Sequence, residues 1–483
     1  MLLSHLLTAL PEARVTGPVA VEIGQIECDS RTIEAGDIFV ALRGGEEEDR
    51  HQYLDQAVAK GARAVVVEDA FQGPVTCIQV LDCRLALARL AARFYDFPDR
   101  RLHLLGITGT NGKTTTALLL RQMLVTAGWP CGYIGTLGFQ DTGALEAGAN
   151  TTPEAHQLQA YLQRLVGAGC RAVALEVSSH GLALQRVAGL QFQVGVFTNM
   201  TRDHLDFHGS QEAYGQAKAR LFEMLAPQGR AAINIDDEFG RSLCAKVRAP
   251  VFSFGRHPQA QVRLIEEEAT AAGMRLHLQT PVGALTAETR LIGRFNQENI
   301  LAAVAAGLAL GLEGEAIERG IGALVQVPGR FERVRQGQDF EVVVDYAHTP
   351  DALARVLQAA RGWGTGHLLC VFGCGGDRDP GKRPLMGQVA ESAADRVILT
   401  SDNPRSEDPE AILAQIAQGM TGSQYEVIAE RRQAIVAALA KAAPGDVVVI
   451  AGKGHEDYQE IDGQRLPFDD RQVARQALAQ MGV

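Results

Sequence analysis

The residues with the clearest chemical meaning form a glycine-rich turn, Gly109-Thr110-Asn111-Gly112-Lys113-Thr114-Thr115. Glycines let backbone N–H groups approach phosphate oxygens, and the start of a following helix adds partial positive charge. In such a loop the lysine reaches the β- and γ-phosphates, and the first threonine hydroxyl is a ligand of Mg²⁺. The pattern is a shortened P-loop, because Ile107 stands five residues before the second glycine. It predicts ATP binding and leaves kinases, motors and ligases open.

Two more polar residues follow short apolar runs. Glu176 comes directly after the run 172–175, and His204 lies beyond the run 194–197. In open α/β sheets ligands bind just outside the carboxyl ends of strands, so both side chains can lie near the phosphate loop. We predict that they are Mg²⁺ ligands close to the γ-phosphate. A purely structural hydrogen-bonding role for the histidine is the alternative.

Lys218 is unusual because helical spacing places it on an apolar face. The predicted helix Gln211–Leu225 carries that face on Tyr214, Ala217, Lys218, Leu221, Phe222 and Leu225. A lysine there either extends to solvent or is functional. Burial lowers the pKa of a lysine and leaves a nucleophilic amine, which can capture CO₂ as a carbamate able to bind a second Mg²⁺.

Alternating strand and helix patterns must position these residues. A predicted strand, Leu102–Thr108, precedes the phosphate loop, and an amphipathic helix follows it. This alternation predicts an α/β fold built on parallel sheets. Breaks near 97–99 and 327–329 divide the chain into residues 1–99, 100–328 and 329–483. The last block has five predicted strands: Glu341–Val344, His367–Phe372, Arg396–Thr400, Tyr425–Ile428 and Asp446–Ile450.

Composition narrows the possible partners and compartment. The chain has 483 residues and a net charge of −11, which argues against a nucleic-acid partner. Its 8 cysteines are scattered without a CxxC pair, so neither disulfides nor a structural zinc site is expected. There is no apolar run of about 18 residues and no secretory signal, so we expect no membrane insertion and a cytoplasmic protein. A monomer is the default expectation.

Several motifs occur in a fixed order after GTNGKTT: EVSSHGL, TNMTRDHLDFHG, AYGQAKARLF, GRFNQEN, GRFER and DYAHTP. The combination resembles the Mur ligase family from end to end. The resemblance implies three α/β domains: a UDP-binding N-terminal domain, a central P-loop ATPase with a parallel sheet, and a C-terminal Rossmann-like domain. It also implies an ATP-dependent ligase of peptidoglycan precursor synthesis, in which a muramoyl-peptide carboxylate becomes an acyl phosphate and is then attacked by an amine.

The resemblance assigns roles to individual residues of the ATPase centre. It implies catalytic roles for Lys113, Glu176, His204 and Lys218, with Lys218 carbamylated. It implies two Mg²⁺ ions held by Thr114, Glu176, His204 and the Lys218 carbamate. It implies that ATP is bound by Gly109, Thr110, Asn111, Gly112, Lys113, Thr114, Thr115, Asn296, Arg330 and Asp345.

The first block and the loops beside the ATPase resemble the family's site for a UDP-muramoyl dipeptide. The matching residues are Ser30, Thr151, Thr152, Ser178, Arg186 and Lys218. The chain departs from the family at Arg50, where glycine is usual, which puts close backbone contact at that loop in doubt. It also has Leu184 where relatives commonly have glutamine, so no glutamine role is carried over.

The third block decides the amino acid. Asp402-Asn403-Pro404-Arg405 resembles the signature of family members that add meso-2,6-diaminopimelate, and Arg383, Gly452 and Glu456 match the rest of that site. Diaminopimelate has a distal carboxylate that lysine lacks, and an arginine can bind a carboxylate bidentately. L-Lysine as acceptor is the main alternative. A P-loop phosphotransferase acting on a sugar nucleotide and a non-catalytic UDP-sugar sensor are more distant ones.

Overall fold

The computed structural model describes residues 1–44, 49–148, 150–269, 273–422 and 424–481. Within them the strands form sheets of five, ten and six strands and one small hairpin. The first sheet has the order β1-β5-β4-β3-β2. Its strands are β1 (Arg14–Thr16), β2 (Ile26–Glu27), β3 (Ile38–Val40), β4 (Ala64–Val67) and β5 (Thr76–Gln79), accompanied by helices α1 (Leu3–Leu6), α2 (Leu54–Ala59) and α3 (Cys83–Phe94).

The ten-stranded sheet forms the centre of the molecule. Its strands are β6 (His103–Thr108), β7 (Cys131–Gly135), β8 (Gly138–Gln140), β9 (Ala172–Glu176), β10 (Phe192–Phe197), β11 (Leu225–Asn234), β12 (Val251–Gly255), β13 (Val262–Ala269), β14 (Met274–Thr280) and β15 (Gly283–Thr289). The associated helices are α4 (Lys113–Thr126), α5 (Ala155–Gly167), α6 (Ser179–Ala183), α7 (Leu205–His208), α8 (Gln211–Glu223), α9 (Glu238–Cys244), α10 (Arg294–Leu310) and α11 (Gly314–Ala323).

Strand β6 occupies the middle of this sheet, with β9 on one side and β10 on the other, all parallel. After β6 the chain forms β7, β8 and β9 on one side of β6 and then crosses to β10 on the other side. The carboxyl end of β6 is therefore a switch point, the kind of place where ligands bind. Helices α4, α10 and α11 cover one face of the sheet, and α5 and α8 cover the other. Strand β6 is buried apart from its first residue because both faces are covered.

The third sheet has the order β16-β17-β21-β18-β19-β20 and is parallel except for β16. Its strands are β16 (Glu332–Arg333), β17 (Glu341–Asp345), β18 (Leu368–Phe372), β19 (Arg396–Leu399), β20 (Tyr425–Val427) and β21 (Val447–Ala451), and the hairpin is β22 (Tyr458–Ile461) with β23 (Gln464–Pro467). Its helices are α12 (Pro350–Arg361), α13 (Lys382–Ala393), α14 (Pro409–Ala417), α15 (Arg431–Lys441) and α16 (Asp470–Met481).

The predicted α/β fold is confirmed, and the five strands predicted in the third block agree with the structure to within about one residue at each end. One helix prediction was wrong at its end. Leu225 starts strand β11, and helix α8 already ends at Glu223. Pro227 explains the break, since proline lacks the N–H that would continue a helix and disfavours helical geometry in the residue before it.

The division into residues 1–99, 100–328 and 329–483 stays a prediction, and residues 482–483 lie outside the described part. The turn expected near 327–329 is present, with the Arg330 N–H donating to the Val327 carbonyl at 3.1 Å. Among the helices of the described ranges, none is long and apolar enough to cross a membrane.

Candidate active site

The phosphate loop joins the carboxyl end of β6 to the N-terminus of α4. Gly109 and Gly112 have φ angles of 146° and 86°, which glycine adopts without strain. A Cβ atom at Gly112 would lie 2.1 Å from Asn299 Oδ1 on α10. The close Asn299 side chain and the positive φ therefore both favour glycine at this position.

Lys113 curls back over the loop. Its Nζ donates hydrogen bonds to the carbonyl oxygens of Gly109 at 3.0 Å and Thr110 at 2.9 Å. Burial lowers the pKa of Lys113, and the negative charges of Glu176 and Asp203 oppose that shift. The ammonium group is thus held over the space that the loop encloses.

Glu176, at the end of β9, is fully buried and accepts four hydrogen bonds. Oε1 accepts from the Tyr133 hydroxyl at 2.5 Å and from the Thr136 N–H at 3.1 Å. Oε2 accepts from the Thr136 hydroxyl at 2.9 Å and from the Thr114 hydroxyl at 3.1 Å. Burial, and then the charge of Glu176, raise the pKa of Tyr133 well above its usual value. Glu176 and the threonine of the phosphate loop therefore belong to one hydrogen-bonded cluster.

The Glu176 carboxylate and the Thr114 hydroxyl are suitable ligands for Mg²⁺. This ion usually keeps several water and phosphate-oxygen ligands and takes only one or two carboxylates from a protein. Within the described ranges, no group of three or more His, Cys, Asp or Glu side chains is arranged to hold a metal ion. His204 contacts the carboxylate of Asp203 in two ways. Its backbone N–H donates to Asp203 Oδ1 at 2.9 Å, and its ring Nε2 lies 3.4 Å from Asp203 Oδ2. Glu176 and His204 line the same cavity. Their joint role as metal ligands stays a prediction.

Lys218 is buried on α8 with 1% of its surface exposed. Its Nζ donates to the Gly109 carbonyl at 2.9 Å and lies 4.1 Å from the centre of the Tyr214 ring. Burial lowers the pKa of Lys218 well below its usual value, and the charge of Lys113 lowers it further. The structure therefore brings an amine with a low pKa to the base of the phosphate loop.

A cavity of about 240 Å³ lies between the central sheet and the third sheet. Its lining includes most of the phosphate loop and groups from both sheets: Thr110, Asn111, Gly112, Lys113, Thr114, Thr115, Thr136, Thr151, Glu176, Ser178, Asn199, Asp203, His204, Phe295, Glu298, Asn299, Arg330, Asp345, Tyr346, Ala347, His348, Ala352, Arg355 and Val356. The sequence-predicted ATP site and part of the predicted dipeptide site therefore share one space.

Arg330, in the turn before β16, and Asp345, at the end of β17, both line this cavity. The Arg330 guanidinium lies 4.3 Å above the Tyr346 ring and donates to the Thr114 hydroxyl at 3.3 Å. Asp345 accepts from the N–H groups of Phe331 at 2.6 Å and Ala347 at 2.8 Å. Burial raises the pKa of Asp345 to about 6, although Arg330 and these hydrogen bonds oppose the shift.

Asn296, predicted to bind adenine, is not among the described residues that line the cavity. It is buried at the start of α10, where Nδ2 donates to the Ile292 carbonyl at 2.8 Å. Its Oδ1 accepts from Asn299 Nδ2 at 3.2 Å, and Asn299 itself lines the cavity. The adenine contact of Asn296 stays a prediction.

Most residues predicted to bind the dipeptide cluster beside Glu176. The Thr151 hydroxyl lies 3.1 Å from that of Thr136. The Ser178 N–H donates to the Thr152 hydroxyl at 2.9 Å, and Arg186 reaches the Thr152 carbonyl at 3.1 Å. Arg186 also pairs with Glu154 at 2.8 Å.

Ser30 lies apart from that cluster, in the part of the chain that carries the first sheet. Its hydroxyl donates to Gln56 Oε1 at 2.8 Å. Nearby, Arg50, which replaces the family's usual glycine, donates to the Cys28 carbonyl at 2.6 Å. The arginine is therefore accommodated by the first domain, with its guanidinium close to the loop that carries Ser30.

The residues of the predicted amino-acid site lie in or near the loops that follow β18, β19 and β21. These three strands are parallel neighbours in the third sheet, so the loops meet at one edge of it. Asn403 Nδ2 donates to Glu456 Oε2 at 2.9 Å, which joins the loops after β19 and β21. A Cβ atom at Gly452 would lie 2.4 Å from Asp402 Oδ2. The Pro404 carbonyl, on the same loop, accepts from the Glu407 N–H at 3.0 Å.

Arg405 adopts a left-handed backbone with φ of 52°, which is uncommon for a non-glycine residue. Its N–H donates to the Glu460 carbonyl on β22 at 3.0 Å, and its guanidinium donates to the Gly376 carbonyl at 2.5 Å. The hairpin β22–β23 and the loop after β18 thus hold the arginine in this conformation.

Arg383 is almost fully buried, with 1% of its side chain exposed. It donates to both carboxylate oxygens of Glu407 at 2.8 Å, to Gln415 at 2.8 Å and to the Gly375 carbonyl at 3.2 Å. These contacts fix the loop after β18. A direct contact of Arg383 with the amino acid stays a prediction.

Several residues of the site were not predicted from the sequence, among them Tyr133, Thr136 and Lys453. Tyr133 and Thr136 supply three of the four hydrogen bonds to Glu176, and Lys453 is a fully buried lysine in the third-domain site. No sequence signal links Tyr133 or Thr136 to a residue about 40 positions later. Lys453 lies in the same segment as the predicted site residues Gly452 and Glu456, but the sequence did not indicate that its side chain is buried.

Comparison with known proteins covers nearly the whole chain. Three family models match it: "Mur ligase family, catalytic domain" at residues 22–95, "Mur ligase middle domain" at 107–307, and "Mur ligase, glutamate ligase domain" at 329–454. A protein of Geobacter metallireducens is 44% identical over 506 residues, covering 100% of this chain and 99% of its own. The chain belongs to the Mur ligase family. The family predicted from the ordered motifs is thereby confirmed.

Two further Mur ligases are also similar over nearly their whole length. A Pseudomonas aeruginosa protein is 47% identical over 465 residues, with 95% of each chain covered. It and the Geobacter protein are named UDP-N-acetylmuramoyl-L-alanyl-D-glutamate--2,6-diaminopimelate ligase. A solved structure of a ligase with that name has a TM-score of 0.69, 36% identity and 99% coverage of both chains. This Mur ligase therefore shares its three-domain architecture with solved relatives.

Proposed function

We propose that this Mur ligase joins meso-2,6-diaminopimelate to UDP-N-acetylmuramoyl-L-alanyl-D-glutamate and converts ATP to ADP and phosphate. The observation that carries the proposal is the meeting of three loops beyond neighbouring strands of the third sheet, where Asn403 donates to Glu456 and Arg405 donates to the Gly376 carbonyl. An arginine beside a carboxylate complements the distal end of diaminopimelate, which carries both a carboxylate and an ammonium group. The names of relatives that are 44–47% identical support the same acceptor.

In the first step, an oxygen of the substrate's γ-carboxylate attacks the γ-phosphorus of ATP. The bond from that phosphorus to the β–γ bridging oxygen breaks, ADP leaves, and an acyl phosphate forms. Lys113 and the loop N–H groups bind the phosphates and stabilise the charge that develops during the transfer. Thr151, Thr152, Ser178 and Arg186 orient the carboxylate beside Glu176, and Ser30 belongs to the part of the chain that would hold the uridine.

In the second step, an uncharged amino group of diaminopimelate attacks the carbonyl carbon of the acyl phosphate. The tetrahedral intermediate expels phosphate, and the nitrogen loses a proton to the departing phosphate as the amide forms. Arg405 and Glu456 bind the amino acid, and Arg330 and Asp345 bring the third domain against the nucleotide. Because the two sets of residues come from different domains, closure of the domains is expected to assemble the site.

Thr114, Glu176 and His204 would hold Mg²⁺, together with a carbamate on Lys218. When bound, Mg²⁺ neutralises phosphate charge and draws electron density from the transferred group. Burial lowers the pKa of Lys218 well below its usual value and so favours the uncharged amine, which is the form that reacts with CO₂.

The proposal is tested by phosphate release from ATP with UDP-N-acetylmuramoyl-L-alanyl-D-glutamate present. Parallel reactions receive meso-diaminopimelate, L-lysine or no amine. We expect release with diaminopimelate only, and a product whose mass equals both substrates less one water. Release with lysine alone would keep the ligase reaction and overturn the acceptor. ATP-dependent phosphorylation of the UDP substrate without an amine would indicate a phosphotransferase instead.

A further inference from the structure

Lys453, in the loop after β21, is the most deeply buried charged group of the amino-acid site, with none of its surface exposed. Lysine is almost never fully buried unless its ammonium is paired. Here Nζ donates to Asn403 Oδ1 at 2.9 Å and to Glu456 Oε2 at 2.9 Å. The ammonium therefore contacts two of the residues proposed to bind diaminopimelate.

The contacts of Lys453 define the orientation of Asn403. With Oδ1 accepting from the lysine and from the Glu460 N–H at 3.0 Å, the amide nitrogen must point the other way, where it donates to Glu456 Oε2 at 2.9 Å. A flipped amide would place its nitrogen against the ammonium and against a backbone N–H. Lys453 thus decides which end of the Asn403 amide faces Glu456.

The same contacts divide the two oxygens of Glu456. Oε2 accepts from both Lys453 and Asn403, while Oε1 accepts no hydrogen bond from any residue in the described ranges. The Glu456 side chain keeps 15% of its surface exposed. One carboxylate oxygen is therefore held by the protein, and the other is available to an incoming cation.

We propose that Lys453 is a positioning residue for the amino-acid acceptor, holding Glu456 and Asn403 so that Glu456 Oε1 receives an ammonium group of diaminopimelate. This inference rests on the proposed function and adds a residue to it. Lys453 has no contact with the acceptor itself, because its ammonium is enclosed by Asn403, Glu456 and the Tyr458 ring, whose centre is 5.3 Å away. It acts through the two side chains that it holds.

The test is Lys453→Met, which keeps the length of the side chain and removes the ammonium. We expect the KM for diaminopimelate to rise about 10- to 100-fold, the size of losing charged hydrogen bonds. The KM values for ATP and the UDP substrate should change less than about twofold, since Lys453 contacts neither site. Lys441→Met is the matched control, because Lys441 lies on α15 of the same domain and pairs with Glu426 at the surface.

A double-substitution cycle separates positioning from a general loss of packing. If Lys453 acts through Glu456, Lys453→Met should add little to the acceptor KM of Glu456→Gln, so the two effects are not additive. Additive effects, or an unchanged acceptor KM in a folded Lys453→Met variant, would overturn the inference. Lys453→Gln, which can still donate to Asn403, takes its place if the methionine variant does not fold.

The wild-type protein in the same assay distinguishes the two proposals. An active wild type with an unaffected Lys453→Met variant would overturn the positioning role alone. A wild type that releases no phosphate with diaminopimelate would overturn the proposed function and this inference with it.

Discussion

Glu176 and Thr114 are joined by a hydrogen bond of 3.1 Å, although they are 62 positions apart in the chain. The threonine is the second residue of α4, the helix after β6, and the glutamate ends the neighbouring parallel strand β9. The bond thus links the phosphate loop to the next strand at the switch point of the central sheet. The Thr136 hydroxyl holds the same carboxylate oxygen at 2.9 Å.

Thr136→Val should weaken the response to Mg²⁺, because it removes a hydrogen bond that orients Glu176. We expect the Mg²⁺ concentration for half-maximal activity to rise about 10-fold, the low end for losing a residue that orients a metal ligand. Thr286→Val on β15, an exposed position, is the control. Equal Mg²⁺ titrations for both variants would argue against a metal role for Glu176.

Gly112→Ala should weaken ATP binding, because its Cβ would lie 2.1 Å from Asn299 Oδ1. Gly128→Ala provides a matched control, since Gly128 also has a positive φ, of 79°, but no atom lies within 4 Å of an added Cβ. Both changes cost about 1 kcal/mol for the backbone conformation. Only Gly112→Ala should weaken ATP binding, by at least about 10-fold in calorimetric titration. Similar affinities in the two variants would show that the approach of α10 does not matter.

Lys218 should carry a carbamate that can be trapped. After ¹³CO₂ trapping, we expect a ¹³C carbamate signal in the wild-type protein and in a Lys246→Arg control, but none in Lys218→Arg. In protein whose Lys218 is unmodified, burial lowers the pKa of this lysine, so the unfolded chain binds more protons than the folded one and the contribution of Lys218 to the free energy of unfolding rises with pH up to the usual value of 10.5. A wild-type spectrum without a Lys218-dependent signal would exclude the modification.

Arg405→Ala should lower kcat/KM for diaminopimelate by about 100-fold or more, since a buried charge pair with a ligand carboxylate contributes about 2–5 kcal/mol. The KM for ATP should stay the same. Arg335→Ala, an exposed arginine of the same domain, is the control. If Arg405 does not contact the distal carboxylate, Arg405→Ala will lower kcat/KM for diaminopimelate and for lysine by the same small factor.

Asp345 should make stability depend on pH. Its folded pKa of about 6 lies above the usual 3.8, so the folded protein binds more protons than the unfolded chain between these values. The free energy of unfolding should therefore fall as pH rises from about 4 to about 6, by about 3 kcal/mol at most. Asp345→Asn should remove this slope.

The measurement for Asp345 needs a signal from the third domain alone. The chain has 2 tryptophans, and Trp363 packs against Phe331, which follows the predicted domain boundary. In a Trp129→Phe background, denaturant unfolding followed by Trp363 fluorescence reports that domain. A stability difference between the wild type and Asp345→Asn that is the same at pH 4.5 and pH 7 would contradict the prediction.

The sequence predicted the main elements well, because their hydrophobic patterns are local. Strands β17 to β21 and the buried face of α8 follow from spacing alone, whereas the two-residue strand β16 was not predicted. The helix prediction was wrong only at Leu225, because Pro227 lies two residues later. The residues around Glu176 were harder to predict. Tyr133 lies within strand β7 and Thr136 directly after it, and nothing local in the sequence indicates that β7 pairs with β9.

The sequence by itself determined the family, the α/β fold and the order of the chemical groups, since motifs and periodicity are properties of neighbouring residues. Only the tertiary structure decided which groups meet. It joined Thr114 to Glu176, enclosed Lys453 between Asn403 and Glu456, and paired Arg383 with Glu407. These contacts depend on the order of parallel strands, because that order, rather than distance along the chain, decides which carboxyl-end loops lie side by side.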